Sequence, residues 1–172
     1  MTSIQACELP QGALLGAYRG GGSYADCFGV DVARVVTQAE YVEAFYTTAL
    51  FKVERTLLAW VVSRPSTDAQ ARQLAGGALN GFAAWTVEGR ESDQLLLRDF
   101  SGRTRSWLMS APLAGGVGGA TRLYFGSAVV PAPSRRAGPA QMGWGFHALL
   151  GFHKFYSRAL LGAAISRLAR LK

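Results

Sequence analysis

Residues 81–111 read GFAAWTVEGRESDQLLLRDFSGRTRSWLMSA, and this stretch decides the fold. Three runs, Phe82–Arg90, Gln94–Phe100 and Arg103–Ala111, are separated by Ser92-Asp93 and Ser101-Gly102. Alternation with a period of two marks strands, and two-residue breaks of this composition mark hairpin turns. The second turn is the better one, because glycine tolerates positive φ. A fourth run, Thr121–Val130, follows the glycine loop Gly115-Gly-Val-Gly-Gly119. That loop lacks the strand–loop–helix setting and the Lys-Ser/Thr of a phosphate cradle. The expectation is an antiparallel meander.

On the N-terminal side, Tyr24–Val32 alternates again, with Ala25, Cys27 and Gly29 on one side and Tyr24, Asp26, Phe28 and Val30 on the other. It reads as a first strand. Residues 1–22, closing in Gly20-Gly21-Gly22, read as a loosely held lead-in to one domain over 23–172. Thr37-Gln-Ala-Glu40 and Thr67-Asp-Ala-Gln70 are capping boxes, in which the hydroxyl takes an amide of the first turn and the acid or amide side chain reaches back. The first starts helices expected over about 38–47 and about 49–63, parted by the β-branched pair Thr47-Thr48 and ended at Arg64-Pro65. The second starts a short helix that stops at Gly76-Gly77.

On the C-terminal side, a polar linker, Pro131–Pro139 with Arg135 and Arg136, leads to the longest periodic segment, Met142–Leu171. Gly143, Gly145, Gly151 and Gly162 each cost a helix up to ~1 kcal/mol, so tertiary packing must outweigh them. Grouped helices beside a run of strands give an α+β fold, an antiparallel sheet wrapped on a long C-terminal helix with short helices between the first strand and the meander.

The composition fits that reading. The chain has 172 residues, 49% hydrophobic and 17% charged, enough for one domain with a real core and too apolar for a disordered chain. No uncharged apolar run reaches the ~20 residues of a membrane span, since His147, His153, Lys154 and Arg158 interrupt Trp144–Ile165. Met1–Pro10 has neither the basic nor the apolar stretch of a secretory signal, so none is expected, and Cys7 and Cys27 are the only cysteines of the sequence. Pairing between them is open, but free thiols and a cytoplasmic setting fit better. Residues 1–99 hold 8 basic and 11 acidic side chains, net −3, whereas residues 100–172 hold 10 basic and no acidic ones, net +10. A basic half suits anionic partners, unless folding brings the two halves together and their fields partly cancel.

Four stretches carry a resemblance: Tyr24-Ala-Asp-Cys-Phe28; Ala49-Leu-Phe-Lys-Val-Glu-Arg55; Arg103-Thr-Arg-Ser-Trp107 with Thr121-Arg-Leu-Tyr-Phe-Gly126; and His153-Lys-Phe-Tyr-Ser157. In this order the chain resembles the helix-grip, START-like (SRPBCC) superfamily, and is similar to a bacterial family of uncharacterised domains within it. The resemblance implies an internal pocket for an apolar or amphipathic ligand. Members include carriers, cyclases and hydrolases, and there is no shared catalytic motif. The five strands read here are fewer than in the fuller members.

Among single residues, His153 stands out. At ~100° per residue it lies mid-stripe among Phe146, Leu149, Leu150, Leu160, Ala164 and Leu168, with Tyr156 and Ser157 beside it. An imidazole there can act as acid, base or ligand anchor, or can simply be a buried group held by one hydrogen bond. His147 falls about 120° away around the helix, so the two make no metal pair. No zinc or cofactor motif is present, and neither a metal nor a cofactor is expected.

If both hairpins use two-residue turns, Arg103, Arg105, Trp107 and Met109 share a face with Trp85, Val87, Leu96, Arg98 and Phe100. Arg98 then faces Arg105, which is destabilising unless an anion or carboxylate lies between them. Glu88, Asp99 and Ser106 fall on the other side. Glu54-Arg55 reads as a surface pair. Ser106, Ser110 and Ser127 lack a nucleophile-elbow setting.

The expected function is a binding or carrier module whose pocket uses His153, Tyr156, Ser157, Trp85, Trp107, Arg98, Arg105 and Tyr124. The alternative is an enzyme using His153 with Glu88 or Asp26 for proton transfer. A weaker one is a basic aromatic sheet of Arg103, Arg105, Arg122, Arg135 and Arg136 with Trp107 and Tyr124, binding an anionic polymer.

Overall fold

The structure, a computed structural model, describes residues 3–53, 66–113, 119–130 and 144–170, with side chains of the last segment from Tyr156 onward. Its architecture is α+β and helix-grip-like. The elements are β1 (Gln5–Ala6), a 3-10 helix (Leu14–Tyr18), β2 (Tyr24–Val32), α1 (Gln38–Tyr46), α2 (Asp68–Ala75), β3 (Gly81–Phe82), β4 (Trp85–Arg90), β5 (Gln94–Asp99), β6 (Thr104–Leu113), β7 (Ala120–Val129) and α3 (Trp144–Leu168). Among the described residues seven strands form one antiparallel sheet in the order β1-β2-β7-β6-β5-β4-β3.

Local signals set most of these elements. Both capping boxes form: Thr37 with Glu40 starts α1, and Thr67 with Gln70 starts α2. The Thr47 hydroxyl turns back onto the Glu43 carbonyl at 2.7 Å, and α1 ends there. Residues 49–53 are helical again, and the rest of that expected helix lies outside the described residues. So do Glu54, Arg55, Arg135, Arg136 and the glycine loop up to position 118.

Two short strands were not expected. The run Phe82–Arg90 breaks at Ala83-Ala84, where Ala83 takes φ +53° and returns the chain so that Phe82 faces Trp85. Residues of that composition announce no turn. At the other edge, Gln5–Ala6 pairs with Phe28 and Gly29, so the N-terminal segment is part of the sheet rather than a loose lead-in.

The sheet buries both faces. On one, Phe28, Val30, Leu97, Leu108, Leu123 and Phe125 pack against Tyr41, Phe45 and Tyr46 of α1 and Leu160, Leu161, Ala164 and Leu168 of α3. Phe45 lies 4.9 Å from Phe125, ring centre to ring centre, joining α1 to the sheet, and Tyr46 lies 4.9 Å from Phe51, joining α1 to the helical stretch 49–53. Arg34 donates to the Leu168 carbonyl at 3.1 Å and closes the C-terminal end of α3.

On the other face, Leu9, Ala13 and Leu15 cover Cys27, Leu96, Trp107 and Ala128. Gly126 makes that cover possible. A Cβ there would meet Leu15 Cδ2 at 2.7 Å, the Asp26 carbonyl oxygen at 2.9 Å and Trp107 Cε3 at 3.0 Å.

Candidate functional site

Between the sheet, α1 and α3 lies a cavity of about 250 Å³. Its apolar walls are Phe45, Phe51, Phe125 and Leu160, with Trp85 and Tyr156 beside them, and its polar groups include Ser106, Ser127 and Ser157. Phe100 stands at the rim, lining the cavity while 58% exposed.

The strand register brings the polar groups together. Asp26 on β2 faces Ser127 on β7, and Ser127 faces Ser106 on β6. One polar rung therefore crosses three strands on the helix-covered face. Ser127 Oγ donates to Asp26 Oδ1 at 2.5 Å, and Tyr46 Oη and Ser106 Oγ share a hydrogen bond of 3.2 Å. Among the described residues, four buried atoms at or beside the cavity have no partner: Trp85 Nε1, Ser157 Oγ, Asp26 Oδ2 and, on the side chain that turns away to Glu88, Arg105 Nε. Ser157 is only 1% exposed. Unmade hydrogen bonds of this kind cost about 1–3 kcal/mol each, which a ligand able to complete them would recover.

Of the eight expected pocket residues, Trp85, Tyr156 and Ser157 meet here. His153 belongs to α3, one turn before them, and its side chain and that of His147 lie outside the described residues. Trp107, Arg98 and Tyr124 are not pocket residues. They sit on the opposite face, under or beside the N-terminal cover. Arg105 borders the cavity, but its guanidinium turns away to Glu88 Oε2 at 3.0 Å and lies 4.6 Å from the Tyr18 ring centre.

The physical cause is a β-bulge. The hairpin at Ser92-Asp93 keeps its expected register through Arg90–Leu95 and Gly89–Leu96, but then Val87, not Glu88, faces Leu97. One extra residue flips everything before it to the other face. Trp85 and Val87 swing toward the helices, while Glu88 goes to the N-terminal layer. There Glu88 accepts a hydrogen bond from Tyr18, pairs with Arg105 and lies 3.9 Å from Arg98. Arg98 does face Arg105, as expected, and Glu88 is the carboxylate between them. It is therefore no partner for a group on α3. Two carboxylates lie on the cavity face among the described residues: Asp99, a lining residue whose oxygens take the Ser101 hydroxyl and the Arg103 and Thr104 amides, and Asp26, which reaches the cavity through Ser127.

Trp107 is 0% exposed, and Nε1 donates to Gln94 Oε1 at 2.9 Å. It presents no ring for a base to stack on. Arg122 is held by Asp31 through contacts of 2.5 and 2.7 Å, a pair in which the guanidinium keeps the Asp31 carboxyl below its usual range. These placements leave little of the basic aromatic sheet.

Burial pushes the Tyr41 phenol well up, so it stays a donor, to the Tyr124 carbonyl at 3.0 Å. The cavity residues missed by sequence reasoning, Phe45, Phe51, Phe125, Ser106 and Ser127, carried only core-like signals.

Among the described residues no group of three or more His, Cys, Asp or Glu side chains gathers as a metal site, and no helix is long and apolar enough to cross a membrane. Comparison with protein-family models, with curated proteins and with solved structures finds no match to this chain.

Proposed function

We propose that this chain is a binding or carrier module for a small, largely apolar molecule held between the sheet and α3, in the manner of the START-like proteins it resembles. One observation carries the reading: an apolar cavity in which Trp85 Nε1 and Ser157 Oγ are buried without partners among the described residues. Mostly apolar walls with a few convergent polar groups are what small-molecule sites look like. At about 250 Å³ the space exceeds the ~150 Å³ cavity that takes one benzene. It suits a compact molecule of one or two rings, with an acceptor for the indole and a polar group for the serine.

The second reading is an enzyme acting on the same ligand. Asp26, bonded to the cavity-lining Ser127 and with Oδ2 unpartnered, favours it as the acid–base carboxylate in place of Glu88.

Titration with the dye 1-anilinonaphthalene-8-sulfonate tests the binding reading. One dye should bind per chain with a blue-shifted emission, and Leu160→Trp, which fills the cavity, should weaken binding at least tenfold. Native mass spectrometry of freshly purified protein should show a small co-purifying molecule. Equal dye binding by a folded Leu160→Trp variant, together with a bare protein mass, would overturn the reading.

A further inference from the structure

The two cysteines lie 20 residues apart in sequence, yet their sulfurs are 3.4 Å apart. The register of β1 against β2 runs Gln5 to Gly29 and Ala6 to Phe28, and the Cys7 amide then donates to the Cys27 carbonyl at 3.0 Å. Cys7 and Cys27 are thus directly opposite each other across an antiparallel pair. Such pairs hold their Cα atoms about 4.5–5.5 Å apart, inside the range a disulfide spans. Gly29 keeps the room open, since a Cβ there would come within 3.3 Å of Cys7 Sγ.

We propose that Cys7 and Cys27 form a reversible disulfide, made by exchange with a small-molecule disulfide, that fastens the N-terminal cover to the sheet. Cys7 is exposed and lines a polar cleft of about 450 Å³ with Gln5, Asp31 and Arg122, which gives a reagent access. Cys27 is buried beneath the cover. The order of events follows from this asymmetry. Cys7 attacks one sulfur of the reagent, forming a mixed disulfide and releasing one thiol. Cys27 then attacks Cys7 Sγ, closing the protein disulfide and releasing the second thiol. Two protein thiols are oxidised, one reagent disulfide is reduced to two thiols, and the two cysteine protons pass to the leaving sulfurs. Burial, and then Cys7 beside it, pushes the Cys27 thiol up, so closure quickens as pH rises. The loop so closed contains the 3-10 helix Leu14–Tyr18, which covers Trp107.

The test uses the whole chain and oxidised glutathione. Closure should lower the intact mass by about 2 Da relative to the reduced chain and remove both titratable thiols. Trypsin, cutting after Arg19 and Arg34, should leave residues 1–19 joined to residues 20–34 until a reductant is added. The oxidised chain should melt roughly 5–10 °C higher than the reduced one. Cys7→Ser, at an exposed position, should keep the fold and lose the mass change. A wild-type chain that stays unreacted, stops at the glutathione adduct, or joins two copies through these peptides would overturn the proposal.

Discussion

On the sheet face under the N-terminal segment, polar side chains answer one another. The Trp107 indole and the Leu14 amide both donate to Gln94 Oε1 at 2.9 Å, and Gln94 Nε2 donates to the Gly12 carbonyl at 3.2 Å. Glu88 gathers Tyr18, Arg98 and Arg105. On the face under α3, by contrast, Trp85 Nε1, Ser157 Oγ and Asp26 Oδ2 are buried beside the cavity without a partner among the described residues. The same sheet therefore carries one layer whose polar side chains are mostly paired, Arg105 Nε excepted, and one in which three buried polar atoms stand unpaired beside the cavity. A fold gains nothing from an unmade buried hydrogen bond, and it is on this difference between the two faces that the proposed binding function rests.

Three substitutions probe this contrast by urea denaturation. Trp107→Ala should cost the most, about 3–5 kcal/mol, because it empties a fully buried site and strands Gln94. Gln94→Ala should cost about 1–3 kcal/mol by leaving the Trp107 indole and the Leu14 amide without an acceptor. Ser157→Ala should change stability least, by under about 1 kcal/mol and in the stabilising direction, because it deletes an unpartnered buried hydroxyl. The same variant should bind the dye more weakly if the dye uses that hydroxyl. A Ser157→Ala loss equal to that of Gln94→Ala would erase the contrast between the two faces.

Much of the fold was legible because short-range physics specifies it. Alternation placed β2 at Tyr24–Val32, and hydroxyl–carboxylate spacing located the starts of α1 and α2. The two-residue hairpins put Arg98 opposite Arg105. What escaped depends on a single extra residue or on distant partners. The bulge between Val87 and Gly89 reversed the faces of Trp85 and Glu88, and its only local trace is a glycine inside a strand pattern. The cover formed by Leu9, Ala13 and Leu15 has neither helical nor strand periodicity, so its glycine content read as looseness. The site was legible where one helix face presented it, at Tyr156 and Ser157. It was lost where the sheet's two sides had to be told apart, at Trp107, Arg98, Arg105 and Tyr124.

The extra residue in β4 also ties Trp85, Val87 and Glu88 into one unit. Were β4 to pair along its full length without the bulge, Glu88 would face Leu97 and the indole and the acid would trade places: a carboxylate would turn toward the cavity beneath the helix, and the indole toward the arginines. A drifting descendant of this chain would have to change all three together or none of them, so the irregularity acts as a lock on which layer is greasy and which is ionic.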